Sequence, residues 1–295
     1  MTAVTAPARL ARREAVLWQL ARLEIRRYLR HPLYLLGVAL LLLSVAGMVA
    51  SSGSDQSPLS APIAPAFLMG VFGVVVAAQL AASGRRLGRG AGAVPLPERT
   101  RSLALAVAFV VPVLTAAAWL ATFLVIYHVN PPADGVWWFG PLSSGHVLSM
   151  LVGTTVVSGF GGPALGMLVA RWVRWRPAPL VAAVLLVVAG MLTQSSDTFP
   201  RTVGLLMPWT QWSAGVTDGR AVYYGGSPQW WLLYALALCV LAVVAAMYRD
   251  PDADRPRYRV AAAVVVLVAV VSVSLAATTG VDHTRYLPVT TASGS

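Results

Sequence analysis

The sequence predicts an all-α fold: a polytopic transmembrane helical bundle of six to seven spans, preceded by an N-terminal amphipathic interfacial helix. Three observations point there. Of 295 residues, 57% are hydrophobic and only 11% are charged. A soluble domain carries about a quarter charged residues, so little of this surface is built for water. The apolar residues gather in long uninterrupted runs. The basic residues gather between those runs, in alternate connections.

Crossing ~30 Å of hydrocarbon takes roughly 20 mostly apolar helical residues. Seven stretches qualify: Pro32–Ala50, Pro62–Ser83, Ser102–Tyr127, His146–Ala170, Pro177–Leu192, Trp230–Tyr248 and Val260–Thr279. None has Asp, Glu or Arg in its interior. Hydrocarbon offers the backbone no water, so each run must satisfy its own hydrogen bonds as a helix. The runs do not alternate every second residue, which excludes a transmembrane barrel. The fifth is the shortest, and Gln194, Ser195, Ser196 and Asp197 follow it; tilt or bilayer thinning accommodates such a span. The expected organisation is a cytoplasmic segment 1–31, a membrane domain 32–279 and an extracytoplasmic tail 280–295.

Charge sets the expected orientation. With the N-terminus inside, nineteen of the 22 basic residues, all arginine, lie in cytoplasmic segments; the outer ones hold only Arg201, Arg220 and Arg285. This places a multi-pass protein in the cell membrane. It also explains the net charge of +11 without nucleic acid as a partner. Trp137, Trp138, Trp209, Trp212, Trp230 and Trp231 fall near expected outer interfaces, and Trp172 and Trp175 near an inner one, where indole rings prefer to sit.

Ala8–Arg30 has helical periodicity. Leu10, Leu17, Ala21, Ile25 and Tyr28 share one face, while Arg12, Arg22, Arg26 and Arg30 lie opposite, with Arg27 beside them. His31-Pro32 ends the segment, because a residue before proline is pushed out of the helical region. Such a helix is expected along the inner leaflet, held by anionic membrane lipid, with a cytoplasmic partner as a second use.

Several chemistries have no matching residues. Cys239 is the only cysteine, so no disulfide within the chain is possible. The first apolar run starts near Leu33, too late for an ordinary signal peptide. Gly84–Gly92 is glycine-rich but lacks the lysine of a phosphate loop, so any ATP must be bound by another chain. Gln79 is the most polar side chain deep in a span, which argues against a proton relay. The histidines His31, His128, His146 and His283 show no metalloprotease spacing. His128 and His146 flank Asn130–Gly145 and read best as interfacial residues. No metal site and no catalytic residue is expected, although serine in a span leaves a nucleophile open.

The order of features carries a family resemblance over Leu20–Asp250. LARLEIRRYLRHPLYLLGVAL (Leu20–Leu40) leads into the first span, and VPLPERTRSLALA (Val94–Ala106) follows a basic connection. SGFGGPALGMLVARWVRW (Ser158–Trp175) ends in arginines, and LLMPWTQWSAGVTDG (Leu205–Gly219) precedes WWLLYALALCVLAVVAAMYRD (Trp230–Asp250). This order resembles the permease subunits of type 2 ATP-binding-cassette exporters, particularly actinobacterial ones.

The resemblance implies a permease pair, a homodimer or one with a paralogous second permease, driven by cytoplasmic ATPase subunits. ATP and Mg would sit on that partner, with no cofactor on this chain. It implies an ATPase-coupling loop between spans two and three, carrying Arg85, Arg86, Arg89, Leu96, Pro97, Glu98, Arg99 and Thr100. It further implies short helices dipping into the outer leaflet over Leu205–Thr217. A substrate path between spans two and five would include Phe67, Phe72, Gln79, Leu185 and Met191. Its apolar lining suits a hydrophobic or amphiphilic cargo such as an antibiotic, drug, lipid or peptide. The chain departs from the family in its seventh span and in lacking an acidic residue early in the coupling loop. Gly162 and Gly166 form a small-xxx-small pair expected to pack against a neighbouring span. A structural or scaffolding membrane subunit and an intramembrane enzyme remain the alternatives.

Overall fold

Helix α1 (Ala6–Leu29) leads through His31 into α2 (Pro32–Ala50). The second span begins with α3 (Ile63–Pro65), passes through a π-helical segment, Ala66–Val71, and continues as α4 (Phe72–Gly90). The third combines α5 (Glu98–Ala108) and α6 (Val110–Val129). The fourth runs from α7 (Ser144–Val152) through a second π-helical segment, Gly153–Val157, into α8 (Ser158–Trp172). Helix α9 (Ala178–Gln194) and the short α10 (Arg201–Leu206) precede strands β1 (Ser213–Thr217) and β2 (Arg220–Tyr223). Helices α11 (Pro228–Tyr248) and α12 (Arg255–Thr278) follow, then β3 (Arg285–Pro288).

This computed structural model describes residues 6–50, 63–90, 98–129, 143–194, 200–210, 212–217, 220–250, 253–280 and 285–288. Of these, 6–13, 84–90, 194, 213–217, 220–223 and 285–288 are described by backbone alone.

Six helical stretches are long and apolar enough to cross a membrane, and α9 is a shorter apolar helix beside them. The chain is therefore an all-α polytopic bundle. A three-stranded antiparallel sheet, in the order β1-β2-β3, is added at one end.

Proline and glycine set the local geometry. Pro112 has no N–H for the Ala108 carbonyl, and the third span breaks between α5 and α6 at Phe109. Pro163 lies inside α8 and likewise leaves the Gly159 carbonyl without its helical donor. Its ring packs against Gly73, where a Cβ would come within 2.7 Å of Pro163 Cδ. Gly226 and Gly280 both have positive φ, at 113° and 94°. They meet where α12 hands back to α11, and Ser227 N–H donates to the Ala276 carbonyl at 2.9 Å.

Two apolar cores hold the bundle. The larger joins α1 to spans one to four, with Tyr28, Met69, Phe109 and Met167 fully enclosed. The smaller joins spans four, six and seven around Leu205, Trp212 and Trp231. Side-chain hydrogen bonds cross between spans: Tyr34 and Thr115 share one at 2.7 Å, and Trp119 donates to Ser44 at 3.0 Å.

Four expectations need correcting. The helix of the third span starts at Glu98, four residues before the expected apolar run from Ser102, because Glu98, Arg99 and Arg101 find partners in its first turn. The connection expected as a loop from Arg85 is helical through Gly90 and again from Glu98. Only Arg201–Leu206 of the outer segment is helical; Ser213–Thr217 is extended and pairs with β2 instead of forming a dipping helix. Trp212 and Trp231 are packed in the core, edge to face at 5.8 Å, and do not form an interfacial belt.

Candidate functional site: two cavities divided by a glycine seam

The second and fourth spans touch backbone to backbone between Gly70 and Gly162 and between Val74 and Gly166, and glycine is the reason. A Cβ at Gly162 would lie 2.7 Å from the Gly70 Cα, and one at Gly166 would lie 2.8 Å from the Val74 Cα. Both would collide with the neighbouring carbonyl oxygen first. The two backbones are thus in direct contact with no side chain between them.

On one side of this seam is a largely apolar cavity of about 220 Å³. Spans two, four, five and six enclose it, together with Pro208 and Trp209. Phe67 lies edge to face with Trp209 at 5.5 Å, and Trp209 packs in turn against Gly190 of α9. Cys239 reaches the cavity from α11. Both π-helical segments border it: Ala66–Val71 through Phe67 and Gly70, and Gly153–Val157 through Val157. Such segments widen a helix locally and recur at functional sites.

Two turns further along α4 and α8, about 12 Å at 1.5 Å per residue, a second cavity of about 910 Å³ opens at the arginine-rich end. Ala78 and Gln79 of α4 and Ala170 and Arg171 of α8 form its roof. Arg174, Arg176, Arg249 and Arg255 line its sides. Arg171 is almost wholly buried, pairs with Glu98 and donates to Ser102 Oγ at 2.8 Å.

The N-terminal helix is fastened to this end. Ala21 and Tyr28 are fully buried and Ile25 half-buried, so the expected apolar face packs against α5 and α4, while Arg22, Arg26 and Arg30 are exposed. The side chain of Arg12 lies outside the described residues. Arg27 pairs with Glu24 at 2.8 Å and donates to Ser83 Oγ of α4. His31 Nε2 and Gln79 Oε1 share a hydrogen bond at 3.0 Å. Burial pushes the Glu24 carboxyl above its ordinary value, and the Arg27 guanidinium pulls it partly back.

At the opposite end, Arg201 lies half-buried between Trp212 and Tyr224, 4.8 and 5.3 Å from their ring centres. It donates to the Gly225 carbonyl at 3.0 Å and to Thr210 Oγ1 at 2.9 Å. Desolvation lowers its pKa to about 10.

The residues expected along a substrate path are only partly brought together. Phe67 lines the apolar cavity and Gln79 the arginine-rich one. Phe72 sits half-buried beside Gly37. Leu185 and Met191 are about three-fifths exposed on the outer face of α9, and its cavity-lining residues are Leu186 and Val187. Periodicity shows that α9 has faces but cannot say which one turns inward when all are apolar. Of the expected coupling residues, Glu98 is committed to Arg171, the backbone N–H of Arg99 donates to Asp250, and Thr100 lies in the first turn of α5. Arg85, Arg86 and Arg89 lie on α4 with side chains outside the description, as are Leu96 and Pro97 altogether. The Glu98–Arg171 pair, 73 positions apart, had no sequence signal. Among the described residues there is no cluster of three or more metal-binding side chains.

Comparison with family models, with curated proteins and with solved structures returned no match to this chain.

Proposed function

We propose that the chain is the membrane subunit of an ATP-driven exporter, working beside a second permease copy or paralogue. It would lie in the cell membrane with its N-terminus cytoplasmic. Cytoplasmic ATPase chains, holding ATP and Mg, would drive it, and a hydrophobic or amphiphilic molecule would move outward by alternating access.

The observation that supports this reading most is the pair of cavities on either side of the closed seam at Gly70–Gly162 and Val74–Gly166. Alternating access needs two chambers and a barrier that yields when helices shift as rigid bodies. A backbone-to-backbone contact can slide with little side-chain rearrangement. The apolar chamber suits an apolar cargo. Helix α1 grips α4 through Arg27–Ser83 and His31–Gln79, and packs on α5. A push on α1 therefore reaches one side of the seam directly.

The test is co-expression with a candidate ATPase, capture on this chain and measurement of ATP hydrolysis in lipid. Changing Glu98 and Arg99 would confound it, because both are anchored within this chain. The exposed Arg22, Arg26 and Arg30 are the cleaner targets. A complex whose turnover falls in an Arg22→Ala, Arg26→Ala, Arg30→Ala variant is the expected result. A variant that binds and hydrolyses as the parent does removes α1 from the coupling path, and failure of every ATPase to bind removes the exporter reading.

A further inference from the structure

Among the described residues, the arginine-rich cavity gathers more positive charge than the carboxylates around it neutralise. Five arginines line it, at 171, 174, 176, 249 and 255, against one carboxylate, Glu98. That carboxylate is taken by Arg171. Two described acids nearby are also engaged: Asp254 pairs with Arg257 at 2.8 Å, and Asp250 accepts from the Arg99 N–H. Arg249 stacks over Trp172 at 5.4 Å, which fixes its position but supplies no negative charge. Among the described residues, no carboxylate pairs with Arg174, Arg176 or Arg255.

Guanidinium groups gathered around one cavity repel one another, and their donors match the oxygens of phosphate in fork geometry. Helices α9 and α12 also begin beside the cavity, so the positive ends of two helix dipoles add to the field. The walls are not uniformly polar. Ala78, Ala170 and Pro179 supply apolar surface, and the exposed apolar ridge of α9 begins at Leu180, immediately past Pro179. Head-binding charge thus runs into tail-binding surface at the end of a membrane-spanning bundle.

We infer that this cavity binds the phosphate of an anionic phospholipid, with Arg174, Arg176 and Arg255 as its principal ligands and an acyl chain laid along α9. The inference is independent of whether an ATPase drives the protein. The source of the phosphate separates a lipid from a soluble ion, because only the lipid uses the α9 ridge.

The test is displacement of a fluorescent phosphatidylglycerol from the full-length protein in neutral detergent. Competitors are dioleoylphosphatidylglycerol, dioleoylphosphatidylcholine and inorganic phosphate. Phosphatidylglycerol should compete at least about tenfold better than either of the others, since charge-assisted hydrogen bonds to phosphate carry the preference. An Arg174→Gln, Arg176→Gln, Arg255→Gln variant should lose about tenfold or more, and Arg174→Gln alone, the smaller change to the fold, should lose part of it. An Arg257→Gln, Arg259→Gln variant, with charge removed from exposed positions of α12 outside the cavity lining, should bind as the parent does. Equal competition by inorganic phosphate would overturn the lipid assignment. Equal competition by phosphatidylcholine, or equal loss in the Arg257→Gln, Arg259→Gln variant, would overturn the site. So would a triple cavity variant that loses a protein partner while keeping the lipid.

Discussion

Gly162 of α8 lies so close to Gly70 of the second span that a Cβ at Gly162 would fall within 2.7 Å of the Gly70 backbone. The same contact repeats one turn on, between Gly166 and Val74. Here a Cβ would meet fixed backbone, which cannot swing aside as a flexible side chain would. Gly162→Ala should destabilise the protein by about 2 kcal/mol or more through overpacking. Gly162→Leu should leave little folded protein. Gly47→Ala is the control, because a Cβ there meets nothing within 4 Å. Thermal unfolding in detergent, followed by size-exclusion profile, reads all three; an unchanged midpoint for Gly162→Ala would show that the seam is looser than described.

Glu98 and Arg171 bind α5 to the end of α8. Arg171 keeps only 6% of its side chain exposed, while Glu98 keeps 35%. Removing Glu98 leaves a buried guanidinium supported by Ser102 alone, whereas removing both leaves no orphan charge. Because Glu98 is partly wet, Glu98→Gln should cost about 1–2 kcal/mol, less than for a fully buried pair. Glu98→Gln with Arg171→Met should recover part of that loss. A double-mutant cycle on unfolding midpoints checks this, and strictly additive effects would mean the pair contributes nothing specific.

Glu24 gives the N-terminal helix a pH signature. Its carboxyl is raised by burial, so folding favours the protonated form. A raised folded value means the contribution is complete below the ordinary glutamate range, near about 4.3. It is lost as pH rises through the folded value. Glu24→Gln, permanently neutral, should therefore be more stable relative to the parent at pH 7 than at pH 4. Protease cleavage within α1 at the two pH values measures this, and a variant-to-parent ratio that does not change with pH would contradict it.

How much of this was legible beforehand depends on the kind of information each residue carries. The spans could be read because hydrocarbon leaves the backbone one solution, and continuous apolar runs announce it. The inward face of α1 could be read through Ala21, Ile25 and Tyr28 because polar residues mark its other face. Helix α9 could not be oriented: Leu185 and Leu186 have the same hydropathy, and only packing turns one outward and the other to the cavity. The sheet was hidden because β3, which pairs with the far edge of β2, lies more than 60 residues after Ser213–Thr217. The second cavity was half legible. Arg171, Arg174 and Arg176 stood out as an orientation signal, but their convergence with Arg249 and Arg255 depends on how α8, α11 and α12 end together.

The central claim is that the apolar cavity changes its access as the seam moves. Cys239 is the chain's only cysteine and lines that cavity, so it reports without any engineered label site. The measurement is the rate at which a small apolar maleimide modifies Cys239 in the complex with the proposed ATPase partner, in lipid, with ATP trapped by vanadate and then with ADP. The account predicts rates that differ several-fold between the two states, with the difference abolished by a catalytically dead ATPase. Equal rates in both states would contradict it.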